Sequence, residues 1–228
     1  RKNHVTGKEI EVLLGIPGYK IHLPSTWKHH GQARIIVYAR DELKIKERPL
    51  ASDLADLPMI TLEIGFSMEK KTIINFFYRE FTSGVTGLNT TQDQVERLNG
   101  MVKHWKSLAS SNKDLVCLGD ANVCASKWNC DDYYLKDVAE LVQTFLLETE
   151  SCQLVKGFTR SEIAAGGVVS RSLIDHCYSN APGKVSTPEV IAVGTSDHLG
   201  VSITKYTRAP IKKPKVILKR SYKNFEVE

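Results

Sequence analysis

GVVSRSLIDHCYSNAPGKVSTPEVIAVGTSDHLGVSI, residues 167–203, holds two short phrases, SLIDH and TSDHLG, that each set an Asp directly before a His. Asp175 and Asp197 stand 22 positions apart, each beside an apolar, strand-like run. Leu173 and Ile174 bury the approach to Asp175, and a lone carboxylate there is costly unless something pairs with it. His198 is the candidate partner if the two strands are neighbours, because a carboxylate against one ring nitrogen sets the imidazole tautomer and raises its basicity. His176 follows Asp175 directly and points to the opposite face of a strand, so it reads as structural or exposed. The runs around these phrases, with PEVIAVG and HLGVSITKY, predict strands.

Upstream, KDLVCLGDAN (113–122) is a short apolar strand that ends in a polar turn. Asp120 and Asn122 are two apart and in extended geometry face the same side. A carboxylate beside a carboxamide suits the orientation of water and the holding of a phosphate oxygen; an Asx turn closing the strand is the plain alternative. ARIIVYAR (33–40), MITLEIGF (59–66) and KKTIINFFYRE (70–80) predict further strands, with SMEK turning a hairpin between the last two. Tyr78 and Arg79 close that hairpin, where a phenol and a guanidinium can meet a phosphate. Val95, Leu98, Met101, Val102 and Trp105 recur at helical spacing within 91–106, capped by Thr90 or Thr91. YLKDVAELVQTFLLET (134–149) predicts a second amphipathic helix. GIPGY is turn chemistry. Strands, helix, strand, helix and strands in that order fit an α/β fold of packed sheets with helices outside.

The 228 residues, 42% hydrophobic and 25% charged, exclude a disordered chain. No apolar run approaches the roughly 20 residues of a membrane span, and no signal peptide is visible, so no membrane partner is expected. Five cysteines at irregular spacing read as reduced thiols of an intracellular protein, several of them buried; Cys124, Cys130 and His104 are the weaker zinc alternative. His4, His22, His29, His30 and His104 carry no supporting pattern and read as surface residues. The net charge is +5, yet residues 205–228 alone hold eight basic residues against two acidic ones, leaving the rest of the chain near neutral. That tail suits a polyanion.

Taken in order, YR, GDAN, FTR, SLID and SDH resemble the endonuclease/exonuclease/phosphatase superfamily. More narrowly they resemble the apurinic/apyrimidinic-endonuclease-like domain of non-LTR (LINE-type) retrotransposons. GDAN is similar to that family's GDxN, SLIDHCYSN to its S-x-I-D strand, SDHLGVSI to its closing SDH, and GFTRSE to its Thr-Arg segment. LKRSYKNFEVE resembles the stretch joining the endonuclease to a reverse transcriptase. The resemblance implies a four-layer α/β sandwich, two mostly antiparallel sheets flanked by helices, over residues 1–206, with a basic linker at 207–228. It also implies that the family's Asn-bearing strand and metal-binding Glu precede Arg1, making the chain N-terminally truncated.

The implied activity is metal-dependent nicking of one strand of a double-stranded DNA target, with Mg²⁺ or Mn²⁺, leaving a 3′-hydroxyl for reverse transcription. By motif, Asp120 orients or deprotonates water, Asn122 and Tyr78 hold the phosphate, and His198 with Asp175 meets the growing charge. Asp197 serves the metal. Arg79, Thr159, Arg160 and Ser196 fall to substrate binding, Thr159 near the rim. The implied partners are the element RNA and the reverse transcriptase domain, and the implied place of action is the nucleus. A phosphatase of the same superfamily and a non-catalytic nucleic-acid-binding remnant are the alternatives.

Overall fold

The computed structural model describes residues 12–24, 34–65, 71–80, 91–111, 113–163, 167–194 and 196–206. The SMEK hairpin turn, Thr90, His4, His29, His30 and the 207–228 linker lie outside them. In chain order the elements are β1 (Tyr19–His22), β2 (Val37–Arg40), β3 (Lys44–Arg48), β4 (Met59–Gly65), β5 (Lys71–Tyr78), α1 (Thr91–Ala109) and β6 (Asp114–Asp120). There follow α2 (Lys136–Glu148), β7 (Cys152–Gln153), β8 (Arg160–Ile163), β9 (Val169–Ser172), β10 (Asp175–Ser179), β11 (Glu189–Ile191) and β12 (Gly200–Ser202).

Six strands form the central sheet in the order β3-β4-β5-β6-β10-β7. The β5–β6 pair is parallel and the other neighbours are antiparallel. Helix α1 is the connection that a parallel pair requires. Its Leu98, Met101, Val102 and Trp105 are all buried, as the spacing predicts. With Val138, Val142 and Phe145 of α2 they cover one face of the sheet, around Ile73, Phe77, Leu115 and Tyr178. The other face carries smaller pieces. The β1–β2 sheet sets Val37 against Ile60, Leu62 and Ile64, and the β11–β12 sheet brings Val190 and Val201 to Val116 and Cys177. This is a mixed α/β fold with a six-stranded sheet and further two-stranded sheets, flanked by helices. The sequence pattern missed β1, β3 and β8, which are short, and β3 is dominated by charged side chains.

Two local constraints lock the sheet. Gly119 sits opposite Phe77 in the β5–β6 register, and a Cβ placed on it would lie 1.8 Å from the Phe77 carbonyl oxygen. Glu63, 4% exposed on β4, is held by Arg48 Nε at 2.7 Å, Lys71 Nζ at 2.7 Å and Lys113 Nζ at 2.9 Å. Lys71 first and then Lys113 hold its carboxyl down at about 2, against the opposing effect of burial.

Gly119→Ala is expected to cost stability at or above the top of the roughly 1–3 kcal/mol range for overpacking, because backbone and not a side chain must yield. Urea unfolding of parent and variant measures it. Glu63→Gln leaves three partly exposed cations around a neutral group and is expected to cost on the order of 1–3 kcal/mol at pH 7. Since the folded pKa is depressed, the carboxylate's contribution is complete above the unfolded value near 4.5 and fades as pH falls toward about 2. The gap between parent and variant must therefore close in acid; an equal gap at pH 7 and pH 2 refutes the assignment.

Candidate active site

Strand parity divides the polar residues at one end of the sheet. Ile73 and Phe77 of β5 face the helices, and so does the position of Arg79; Ile74, Phe76 and Tyr78 face the other way. In the same register row Tyr78 pairs with Asp120, and Asp120 with Asp175. One row across β5, β6 and β10 thus sets a phenol and two carboxylates side by side on the face away from the helices. His198 arrives from the segment before β12. Its Nδ1 lies 3.0 Å and 3.2 Å from the two Asp175 carboxylate oxygens. The pairing expected between the two Asp-His phrases is therefore present, and with Nδ1 engaged, Nε2 is the nitrogen left for a reacting group.

Ligand atoms of Asp120, Asp175 and His198 all lie within 4.8 Å of one another, the one such cluster among the described residues. Two part-buried carboxylates facing each other are the donor type that hard divalent cations take. Burial, with the neighbouring Asp175 charge adding to it, raises the Asp120 carboxyl to about 6. The Asn122 N–H, His198 and Arg79 oppose that rise. A cation between the carboxylates relieves this repulsion, so the residues present fit a metal ion.

Other expected site residues sit differently. Asn122 does not continue the strand: its φ is +47°, and its N–H donates to Asp120 Oδ1 at 2.8 Å, the Asx turn. Its carboxamide nitrogen donates to the Arg79 carbonyl at 2.7 Å. Arg79 is not placed to meet a substrate, because its guanidinium is buried and all its nitrogens donate inward. Thr159 is fully buried rather than at a rim. Its hydroxyl accepts the N–H groups of Ile174 and Asp175 at 3.1 and 3.0 Å, and its carbonyl accepts the Leu199 N–H at 2.7 Å, so it ties the Asp175 strand to the His198 segment.

Asp197 stands outside the metal-capable cluster. It is exposed and accepts Arg160 Nε at 2.6 Å, which holds its carboxyl below the usual range. Arg160 is therefore committed first to Asp197 and Glu162. Ser196 Oγ accepts the His198 N–H at 3.1 Å and shapes the turn. Tyr78 is half-buried with Arg34 over its ring at 5.8 Å.

His176 is buried, its ring held between the Tyr178 hydroxyl and the Leu173 carbonyl, and burial lowers it to about 4. His22 is buried rather than at the surface and pairs with Glu47, and His104 is half-buried against Thr61. The five cysteines are free, with Cys117, Cys124 and Cys177 buried and Cys130 exposed. No helix among the described residues is long and apolar enough to cross a membrane.

No protein-family model matches the chain, and no curated protein does. Solved structures do. The endonuclease domain of TRAS1, a telomere-specific non-LTR retrotransposon, superposes with TM-score 0.64 at 16% identity, over 91% of this chain and 94% of that one. The 3′ phosphatase NExo from Neisseria, bound to a product DNA hairpin, gives 0.58 at 13% over 86% and 82%. An AP endonuclease from Archaeoglobus fulgidus gives 0.60 at 12% over 90% and 85%. The fold is that of the endonuclease/exonuclease/phosphatase structures. At these identities the likeness establishes the architecture that the motifs pointed to, and it leaves chemistry to the side chains.

Because folded Asp120 holds its proton more tightly than the unfolded chain does, stability falls as pH rises from about 4 toward about 6. In EDTA, Asp120→Asn is therefore expected to match the parent near pH 4 and to exceed it near pH 7.5 by on the order of 2 kcal/mol. Thermal melts across that range check it, and a variant less stable at pH 7.5 contradicts it.

Proposed function

We propose that the chain is a divalent-metal-dependent endonuclease that nicks one strand of double-stranded DNA and leaves a 3′-hydroxyl for target-primed reverse transcription. The observation that carries this reading is the row Tyr78–Asp120–Asp175 closed by His198, on a fold shared with a retrotransposon endonuclease domain. Asp120 and Asp175 would hold Mg²⁺ or Mn²⁺, which when bound supplies charge stabilisation at the phosphoryl oxygens.

The chain's own groups supply the rest. Asp120 is the group placed to orient the attacking water and take its proton. The new bond joins water oxygen to phosphorus, the bond to the 3′ oxygen breaks, and that oxygen leaves as the 3′-hydroxyl with a proton drawn from solvent. His198, oriented by Asp175, presents Nε2 to the charge that develops. Tyr78 lines the same face. Arg160 and the basic 207–228 segment serve the DNA backbone, the segment also leading toward a reverse transcriptase domain and element RNA in the nucleus.

A second reading, removal of a terminal phosphate, is favoured by the likeness to a 3′ phosphatase. A supercoiled plasmid and a 3′-phosphorylated oligonucleotide, each with Mg²⁺ or Mn²⁺, separate the two. Conversion to open circles is expected for the parent, with roughly 10²–10⁴-fold losses in His198→Ala and Asp175→Asn. Phosphate release without nicking favours the phosphatase, and tight DNA binding with neither activity favours a non-catalytic binding remnant.

A further inference from the structure

Arg79 is 1% exposed, and burying a guanidinium is costly unless its donors are all used. Here they are. Nε donates to the Ala121 carbonyl at 2.5 Å, Nη2 to the Asn122 carbonyl at 2.6 Å and Nη1 to Gln94 Oε1 on α1 at 2.6 Å. The backbone of Arg79 closes the same circuit. Its N–H donates to the Asp120 carbonyl at 2.9 Å, and its carbonyl accepts the Asn122 carboxamide at 2.7 Å. Residues 120, 121 and 122 therefore each bond to Arg79. Against that, the turn's own closure is one bond, from the Asn122 N–H to Asp120 Oδ1. The left-handed backbone of Asn122 is a conformation that needs such support.

We propose that Arg79 is a positioning residue: it anchors the Asp120–Asn122 turn to helix α1 and thereby fixes where the Asp120 carboxylate stands relative to Asp175 and His198. This rests on the endonuclease reading for its consequence in catalysis, but not for the restraint itself. The fork is what matters. Three divergent acceptors suit a planar guanidinium, whereas a Lys ammonium keeps the charge and loses the geometry. A misplacement of about 1 Å at a reacting group costs on the order of 10²-fold.

The test is Arg79→Lys beside the parent, with two readouts. Nicking of supercoiled plasmid with Mn²⁺ is expected to lose kcat by about 10²-fold while KM stays within roughly threefold. Hydrogen exchange of the Ala121 and Asn122 amides, followed by NMR in EDTA, is expected to speed up by on the order of tenfold or more, while amides within α2 keep their protection. Gln94→Met removes the α1 acceptor of the fork; it is expected to show the same signs in smaller measure, and it carries both readouts if Arg79→Lys does not fold. Parental protection at Ala121 and Asn122 overturns the proposal, as does a rise in KM with kcat unchanged, which marks a substrate contact. If the folded parent does not nick, the endonuclease reading fails by itself, and the exchange measurement still decides the role of Arg79.

Discussion

The site depends on one register. Pairing β6 with β5 on one side and β10 on the other puts Tyr78, Asp120 and Asp175 in a single row. Because side chains alternate along a strand, a slip of one residue in either ladder sends a carboxylate to the helix-covered face. Gly119 makes the register exclusive: the main chain of Phe77 occupies the space where any larger residue would put a Cβ. The aromatic packing of Phe77 with Trp105 and Tyr178 then holds that contact from the helix side.

The two faces of the sheet carry different tasks at the same end. Towards the helices lie His176, Tyr178 and Arg79, all buried and satisfied within the protein. Away from them lie the carboxylates and His198, part-buried and open to reaction. Asp120 stands where burial and Asp175 both disfavour its charge. The fold tolerates this only because Asn122, His198 and Arg79 offset part of the cost. Strain of this kind is expected where a protein keeps a group for chemistry rather than for stability.

Thr159 and Arg79 are the interior supports of this arrangement, one beneath each carboxylate. Thr159 accepts the N–H of Asp175 itself and is bonded to the residue after His198. Arg79 grips the turn that follows Asp120. The Arg160–Asp197 pair closes the outer edge, and because both partners are partly exposed to water it contributes little to stability.

Much of this was legible in the chain. The apolar periods gave the two helices and the central strands, and the alternation around LIDH by itself sets His176 on the face opposite Asp175. The order of GDAN, SLID and SDH named the carboxylates and the histidine that meet. What it left open was direction. Tyr78-Arg79 and Thr159-Arg160 read from sequence as pairs facing a substrate. Parity along β5 could have separated Tyr78 from Arg79, since Phe77 already marks the helix side. No such signal marked Thr159 as buried or committed Asp197 to Arg160, because both depend on contacts between residues 15 to 37 positions apart in the chain. Local pattern determined which residues carry the chemistry; only the tertiary register decided which touch one another, because a strand's side-chain alternation is local and its choice of neighbours is not.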